Sequence, residues 1–259
     1  MKRILKEMLK AFDYEIVRRA NPILVPEEKF RDHQAIVSGA TMTTDARQAT
    51  LYDQATYCHK AGIEGSIVEC GVWRGGAIGL AALAIKLAEK TPTRELHLFD
   101  AFDDICAPDP SVDGARALKE FPNAKPRKPG DDPTPEKGIY DSLGGHGTVA
   151  ACRELIEGTI GYPAQLVHYH VGWFQNTVAV SSKLLGRIAI LRLDGDWYDS
   201  TKICLSYLYD LVTPGGFIII DDYGYYEGCR RAVDEFTNDR EINPYLHRVD
   251  SSCYYIQKT

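Results

Sequence analysis

Two patterns of apolar positions alternate along this chain. Short runs of aliphatic and β-branched residues end in acids or glycines, and between them apolar residues recur at three-to-four spacing. The first pattern predicts strands buried on both faces of a parallel sheet, the second predicts crossover helices. Strands are expected at 67–68, 95–100, 165–169, 188–194 and 217–221. Helices are expected at 44–60, 77–90, 149–161, 176–183, 200–212 and 228–238, the first capped by Thr43 or Thr44 and the fifth stopped by Thr213-Pro-Gly-Gly216. Two last runs, 245–249 and 252–257, sit too close together for a helical crossover, so they must pair antiparallel. The pattern therefore predicts an α/β chain with a mostly parallel seven-stranded sheet and a terminal antiparallel hairpin.

The ends of this pattern differ from its middle. Ile4, Leu5, Met8, Leu9, Phe12, Ile16 and Val17 mark an amphipathic N-terminal helix and not a continuous secretory core. Residues 21–44, broken by Pro22 and Pro26, read as a connector packing over the cleft. The division expected is 1–44 ahead of a main domain at 45–259, with a loop insertion at 101–147. That insertion is rich in Asp, Pro, Gly and Lys and closes on a GGHG string around His146, as a lid or binding loop would. Composition adds bounds: 259 residues, 44% hydrophobic and 25% charged, suit one large soluble α/β domain. A net charge of −6 argues against nucleic acid or an anionic membrane as partner, and no run is long enough to span a bilayer. The 7 cysteines form no C-x-x-C pair, as expected of reduced cytoplasmic thiols, and offer no zinc site.

Candidate chemistry lies at the strand ends, where open α/β sheets bind ligands. The stretch SIVECGVWRGG (66–76) has the outline of a strand–turn–helix nucleotide site. Its glycines at 71, 75 and 76 do not match G-x-G-x-x-G, and no P-loop lysine follows. Glu69 would repel a pyrophosphate and suits a ligand bearing an ammonium group; the alternative is a glycine turn needed only for packing. Asp100 closes the next strand, where an acid can accept from a ribose diol. Asp194 after IAILRL, with Asp221 and Asp222 after GFIII, would form an all-oxygen site for a hard divalent cation. Asp199 or Ser200 is expected to cap the following helix, and Arg192 inside its strand needs a carboxylate partner.

The strings TMTTDARQATLYDQA, IVECGVWRGG, LFDAFDD, GWFQNT, LRLDGDWYDST and PGGFIIIDDYGYYEGCRRAVDEF, in this order, carry a resemblance. Together the chain resembles the macrocin O-methyltransferase family, bacterial enzymes that methylate sugar hydroxyls of natural products. GWFQNT and LRLDGD are especially similar to the member acting on the noviose sugar of aminocoumarin antibiotics. The resemblance runs from Thr41 to the C-terminus apart from 107–147. It implies a Rossmann-like methyltransferase fold, S-adenosylmethionine and Mg²⁺ as cofactors, a small-molecule glycoside substrate, a cytoplasmic enzyme of antibiotic biosynthesis and a homo-oligomer. By resemblance the metal ligands fall on Asp194, Asp221 and Asp222 and the base on Asp196. The cofactor site falls on Met42, Thr43, Glu69, Gly71, Asp100, Gly172, Trp173 and Asp194.

The chemistry is coherent with that reading. A sugar hydroxyl is a very weak acid, and a divalent cation holding two vicinal hydroxyls lowers its pKa and fixes the nucleophile. An aspartate then accepts the proton while alignment with the sulfonium methyl supplies much of the rate. His146 is the alternative base. A catechol-like or other small diol would obey the same metal logic, a non-enzymatic binding module would not need these acids, and a metal-dependent hydrolase would leave Glu69 and Asp100 unexplained. Trp197, Tyr198, Tyr223, Tyr225 and Tyr226 either line an acceptor pocket or pack.

Overall fold

Every residue of Ile188–Leu193 is buried, and this strand is the middle of the molecule. In the computed structural model, which describes residues 27–127 and 132–259, it is β4 of a seven-stranded sheet. The others are β1 (Ser66–Cys70), β2 (Leu96–Asp100), β3 (Val167–Val171), β5 (Val212–Ile220), β6 (His247–Arg248) and β7 (Tyr254–Gln257). Their spatial order is β3-β2-β1-β4-β5-β7-β6. The first five run parallel, β7 pairs antiparallel with β5, and β6 pairs antiparallel with β7. This is the expected sheet with its terminal hairpin. The N-terminal amphipathic helix lies outside the described residues.

The helices are α1 (Glu27–Ile36), α2 (Asp45–Lys60), α3 (Gly76–Ala88), α4 (Gly114–Glu120), α5 (Val149–Arg153), α6 (Phe174–Ser181), α7 (Tyr198–Leu208) and α8 (Glu227–Asp239). Alternation in the strands divides the core into two layers. Ile190 and Ile219 pack with α2 and α3, whereas Leu191, Leu193, Ile218 and Ile220 pack with Trp197 and the α7–α8 side. Helix α3 is buried along Gly76–Ile85, which is why its sequence is Ala/Leu/Ile-rich with almost no polar face. Thr44 caps α2 as expected, accepting from the Arg47 amide at 3.4 Å.

Four expectations are corrected. The connector holds a helix, α1, anchored by Phe30 against Tyr52. The expected helix 149–161 is α-helical only to Arg153 and widens into a π turn over Glu154–Thr159. Thr213–Gly216 does not stop a helix but belongs to β5: Ile188 pairs with Val212 and Ile190 with Phe217, so Pro214 and Gly215 bulge out of the ladder. Finally, neither Asp199 nor Ser200 caps α7. Its cap position is Trp197, and the Tyr198 amide donates instead to Asp113, at 2.7 Å, while Asp199 pairs with Arg127.

Arg192 holds the middle of this sheet. It is 4% exposed, donating to Glu69 of β1 at 2.6 Å and to Asp221, just beyond β5, at 2.7 Å, with Asp194 at 2.9 Å. Removing one partner of a buried ion cluster leaves uncompensated charge. Arg192→Leu is therefore expected to lower the unfolding free energy by about 3–5 kcal/mol, read from urea denaturation curves.

Candidate active site

The chain order turns back between β1 and β4, since β1–β3 build the sheet in one direction and β4–β5 in the other. Ligands bind at the carboxyl ends of strands at such a switch point. Here the ladder continues past both strands, with the Asp194 amide donating to Cys70 at 2.8 Å and the Asp221 amide to Leu193 at 2.9 Å. Gly71 crosses so close that a Cβ would lie 1.8 Å from the Asp194 carbonyl oxygen, and its φ is +92°. Only glycine fits there.

A cleft of about 330 Å³ opens over this point. Of the residues singled out, Met42, Gly71, Asp100, Trp173, Asp194 and Asp196 line it. Thr43, Glu69, Gly172, Asp221 and Asp222 are not on its wall. Thr43 instead bonds Thr41 at 2.8 Å, and the Gly172 amide donates to the Asp100 carbonyl at 2.9 Å. Glu69 is turned away from any ligand: it is 1% exposed, accepting from Arg192 and, at 3.1 Å, from the Ile78 amide at the start of α3. Burial raises its pKa to about 7 against the pull of Arg192. The carboxylate expected to face a ligand's ammonium group is instead committed to a guanidinium of the protein.

Asp100 holds the glycine turn itself. One of its oxygens accepts from the amides of Val72 (2.7 Å) and Trp73 (3.0 Å), the other from Phe102 (2.7 Å). A carboxylate has about four acceptor positions, so one remains for a ligand and not the two that a bidentate diol contact asks for. Burial raises its pKa, and the three amides work against that rise.

The acids divide by position. Asp194, Asp221 and Asp222 each offer a carboxylate oxygen within 4.8 Å of the others. Arg192 reaches Asp194 and Asp221, and Arg47 of α2 pairs with both Asp221 and Asp250. Asp222 Oδ2 is buried with no hydrogen-bond partner among the described residues. An orphaned carboxylate oxygen beside two more carboxylates, with oxygen as the only donor type, fits a hard divalent cation such as Mg²⁺. Burial, with the charge of Asp221 and against the pull of Arg192, raises the Asp194 pKa to about 6. Asp196 and Asp222 are pushed well above the ordinary range by burial and then by the neighbouring carboxylates. Asp196 also has φ +59°, a conformation an aspartate adopts at a cost.

The insertion forms much of the opposite wall through Asp103, Cys106, Phe121 and Tyr140, with Glu120 accepting from Tyr225 (3.0 Å) and Tyr226 (2.7 Å) of the segment after β5. Trp197 borders the cleft from within the core: it is fully buried against Phe121 and Tyr226, and its Nε1 donates to Cys106 at 2.8 Å. Tyr226 lines the cleft; Tyr223 and Tyr225 do not. His146 lies beside Asp103 and Asp104, off the cleft wall. Arg47, Glu120 and Tyr140 had no sequence signal, since each reaches the site from a distant element. The unbalanced acids at two strand ends were the one hint that a second cation such as Arg47 had to arrive.

A parallel sheet with this switch-point cleft and a hairpin ending is the framework of Rossmann-like O-methyltransferases. The chain belongs to the macrocin O-methyltransferase family, whose profile (Macrocin-O-methyltransferase, TylF) matches residues 4–125 and 159–258. It is 30% identical over 197 residues to the demethyldecarbamoylnovobiocin O-methyltransferase of Streptomyces niveus, covering 76% of this chain and 67% of that one. It is 28% identical over 217 residues to the 8-demethyl-8-(2,3-dimethoxy-alpha-L-rhamnosyl)-tetracenomycin-C 4'-O-methyltransferase of Streptomyces olivaceus, covering 80% and 72%. The solved O-methyltransferase NovP superposes with a TM-score of 0.68 at 26% identity over 88% of each chain. The protein is thus an O-methyltransferase, and no described helix is long and apolar enough to cross a membrane.

Asp113 of the segment 101–147 ties that segment to the site by supplying the α7 cap, and burial lifts its pKa from 3.8 to about 6. The fold therefore favours its protonated form, so its contribution to stability is present below about pH 4 and is lost as pH rises through 6. Between those limits Asp113→Asn should remove a decline on the order of 3 kcal/mol, read as the wild-type-minus-variant difference in unfolding free energy against pH.

Proposed function

We propose that the chain transfers a methyl group from S-adenosylmethionine to a sugar hydroxyl of a glycosylated natural product in a Mg²⁺-dependent reaction, with Asp196 as the base. The observation that carries this is the meeting, at one switch point, of the Asp100-held glycine turn with the Asp194/Asp221/Asp222 oxygens and Asp196. The relatives named above, which act on a novobiocin precursor and on a rhamnosylated tetracenomycin, support a sugar acceptor. Another, from Micromonospora griseorubida, is a mycinamicin III 3''-O-methyltransferase.

In this reading Gly71 lets the cofactor approach the backbone and the free acceptor position of Asp100 takes one ribose hydroxyl. Trp173 flanks the adenine and Met42 covers the methionine end. Asp194, Asp221 and Asp222 hold Mg²⁺, which when bound lowers the pKa of an acceptor hydroxyl and fixes its orientation. Glu69 acts one step back, by fixing Arg192. Asp196, on the cleft wall two residues beyond Asp194, takes the hydroxyl proton as oxygen attacks the methyl carbon and the carbon–sulfur bond breaks. The sulfonium loses its charge in that step, so an acidic cleft needs no anion-binding group. The lid and the residues around Glu120 shape the acceptor pocket.

Mass spectrometry of products from a panel of glycosides tests the reading. Methylated sugar should form with Mg²⁺ and S-adenosylmethionine, and full turnover in excess chelator would remove the metal from the mechanism. Asp196→Asn should keep S-adenosylmethionine binding by calorimetry while kcat falls by roughly 10²–10⁴. Unchanged kcat in that variant would assign the proton to another group.

A further inference from the structure

At the far end of the sheet, away from the cleft, three side chains converge that the methyl-transfer reading does not use. His97 of β2 and His168 of β3 are direct cross-strand partners, and Glu95 precedes β2. With Asp100 on the cleft wall, a rise of about 3.3 Å per residue puts Glu95 about 16 Å and His97 about 10 Å from the cleft along β2. The Glu95 carboxylate lies 3.4 Å from His97 Nε2 and 3.6 Å from His168 Nε2, and all three ligand atoms fall within 4.8 Å of one another. Four ligands at about 2.0–2.1 Å around a tetrahedral Zn²⁺ sit roughly 3.3 Å apart; each imidazole contact, made by a different Glu95 oxygen, is near that spacing, and the stacked His97 and His168 rings, 4.5 Å apart, need a reorientation for both Nε2 atoms to meet one ion.

A second observation points into the same space. His97 is 5% exposed, and among the described residues neither its Nε2 nor that of His168, both buried, makes a well-formed hydrogen bond, the Glu95 contacts at 3.4 and 3.6 Å being too long or too bent. Buried polar atoms are normally paired, so two unpaired imidazole nitrogens facing one carboxylate require an explanation. The other nitrogen of His97 is held: Nδ1 lies 3.1 Å from His170 Nε2, and His170 Nδ1 lies 3.0 Å from Ser181 Oγ. If His97 donates along this chain toward Ser181, its Nε2 presents a bare lone pair. That is the outer hydrogen bonding that orients a metal-bound histidine. His170 is itself fixed by stacking on Phe99 at 4.0 Å.

We infer that Glu95, His97 and His168 form a second metal site, specific for a borderline transition-metal ion of the Zn²⁺ class, with water as fourth ligand. Imidazole donors select against Mg²⁺, so the site is chemically distinct from the all-oxygen cluster at the cleft. His168, which is 38% exposed at its side chain, turns to complete it. Bound metal would pin the edge strand β3 to β2.

The test uses tag-free, full-length protein stripped with chelator and titrated with CoCl₂ in excess MgCl₂. One equivalent of Co²⁺ with the intense visible d–d absorption of a tetrahedral ion is expected, and displacement by ZnCl₂ should leave one zinc per chain. Asp222→Asn, at the other cluster, should keep the band. His168→Ala and Glu95→Gln, both at partly exposed positions, should lose it while retaining the far-ultraviolet circular dichroism of the parent. His170→Phe keeps the stacking and should weaken Co²⁺ binding by roughly 10–100-fold. Absence of the band in the parent protein, its persistence in His168→Ala, or its loss in Asp222→Asn would each overturn the assignment.

Discussion

One guanidinium organises this molecule. Arg192 lies within the central strand, where burying its charge costs several kcal/mol that only well-aligned partners offset. Its planar donors meet that requirement by reaching Glu69 on one neighbouring strand and Asp221 beyond the other, with Asp194 at the end of its own. The same contacts that satisfy the arginine therefore set the position of two acids at the cleft. Arg47 repeats the logic from α2, tying Asp221 to Asp250 of the terminal hairpin. With two guanidinium groups already committed, Asp222 and Asp196 form no salt bridge among the described residues, and the surplus negative charge is concentrated where the two strands end.

The glycine turn follows from the same arrangement. A helix start normally offers free amides to an anion. Here the Ile78 amide is taken by Glu69, and those of Val72 and Trp73 by Asp100. A pyrophosphate would find an acid behind the turn and its amides occupied, which is the physical reason that the glycine spacing departs from a dinucleotide fingerprint. What remains is a close backbone approach at Gly71 beside carboxylates, suited to a cationic ligand.

Much of this was legible in the sequence because it depends on local pattern. The strands buried on both faces, the hairpin too short for a crossover, the acids at strand ends and the need of Arg192 for a carboxylate all follow from residue order alone. What escaped depends on contacts across the chain. Glu69 reads as a ligand-facing acid until the register places it directly beside Arg192. The TPGG string has the composition of a helix stop, and only pairing with β4 and β7 turns it into a strand bulge. Asp199 has the right identity to cap α7 but loses that place to Asp113, which arrives from 85 residues away in sequence. The histidines at 97 and 168 carry no local signal, since they lie far apart in the chain and meet only through the pairing of β2 with β3.

The insertion after β2 is more than a cover. Asp113 caps α7 just past Asp196, Cys106 accepts from Trp197, and Glu120 accepts from Tyr225 and Tyr226 beyond Asp222. Each contact lands within a few residues of a cleft acid. A displacement of this segment must therefore shift either the turn that holds Asp196 in its left-handed conformation or the segment that follows the Asp221–Asp222 pair. On the proposed reading, acceptor recognition and proton removal are in this way mechanically joined, and a change in this segment that widens the pocket alters the placement of the acids as well.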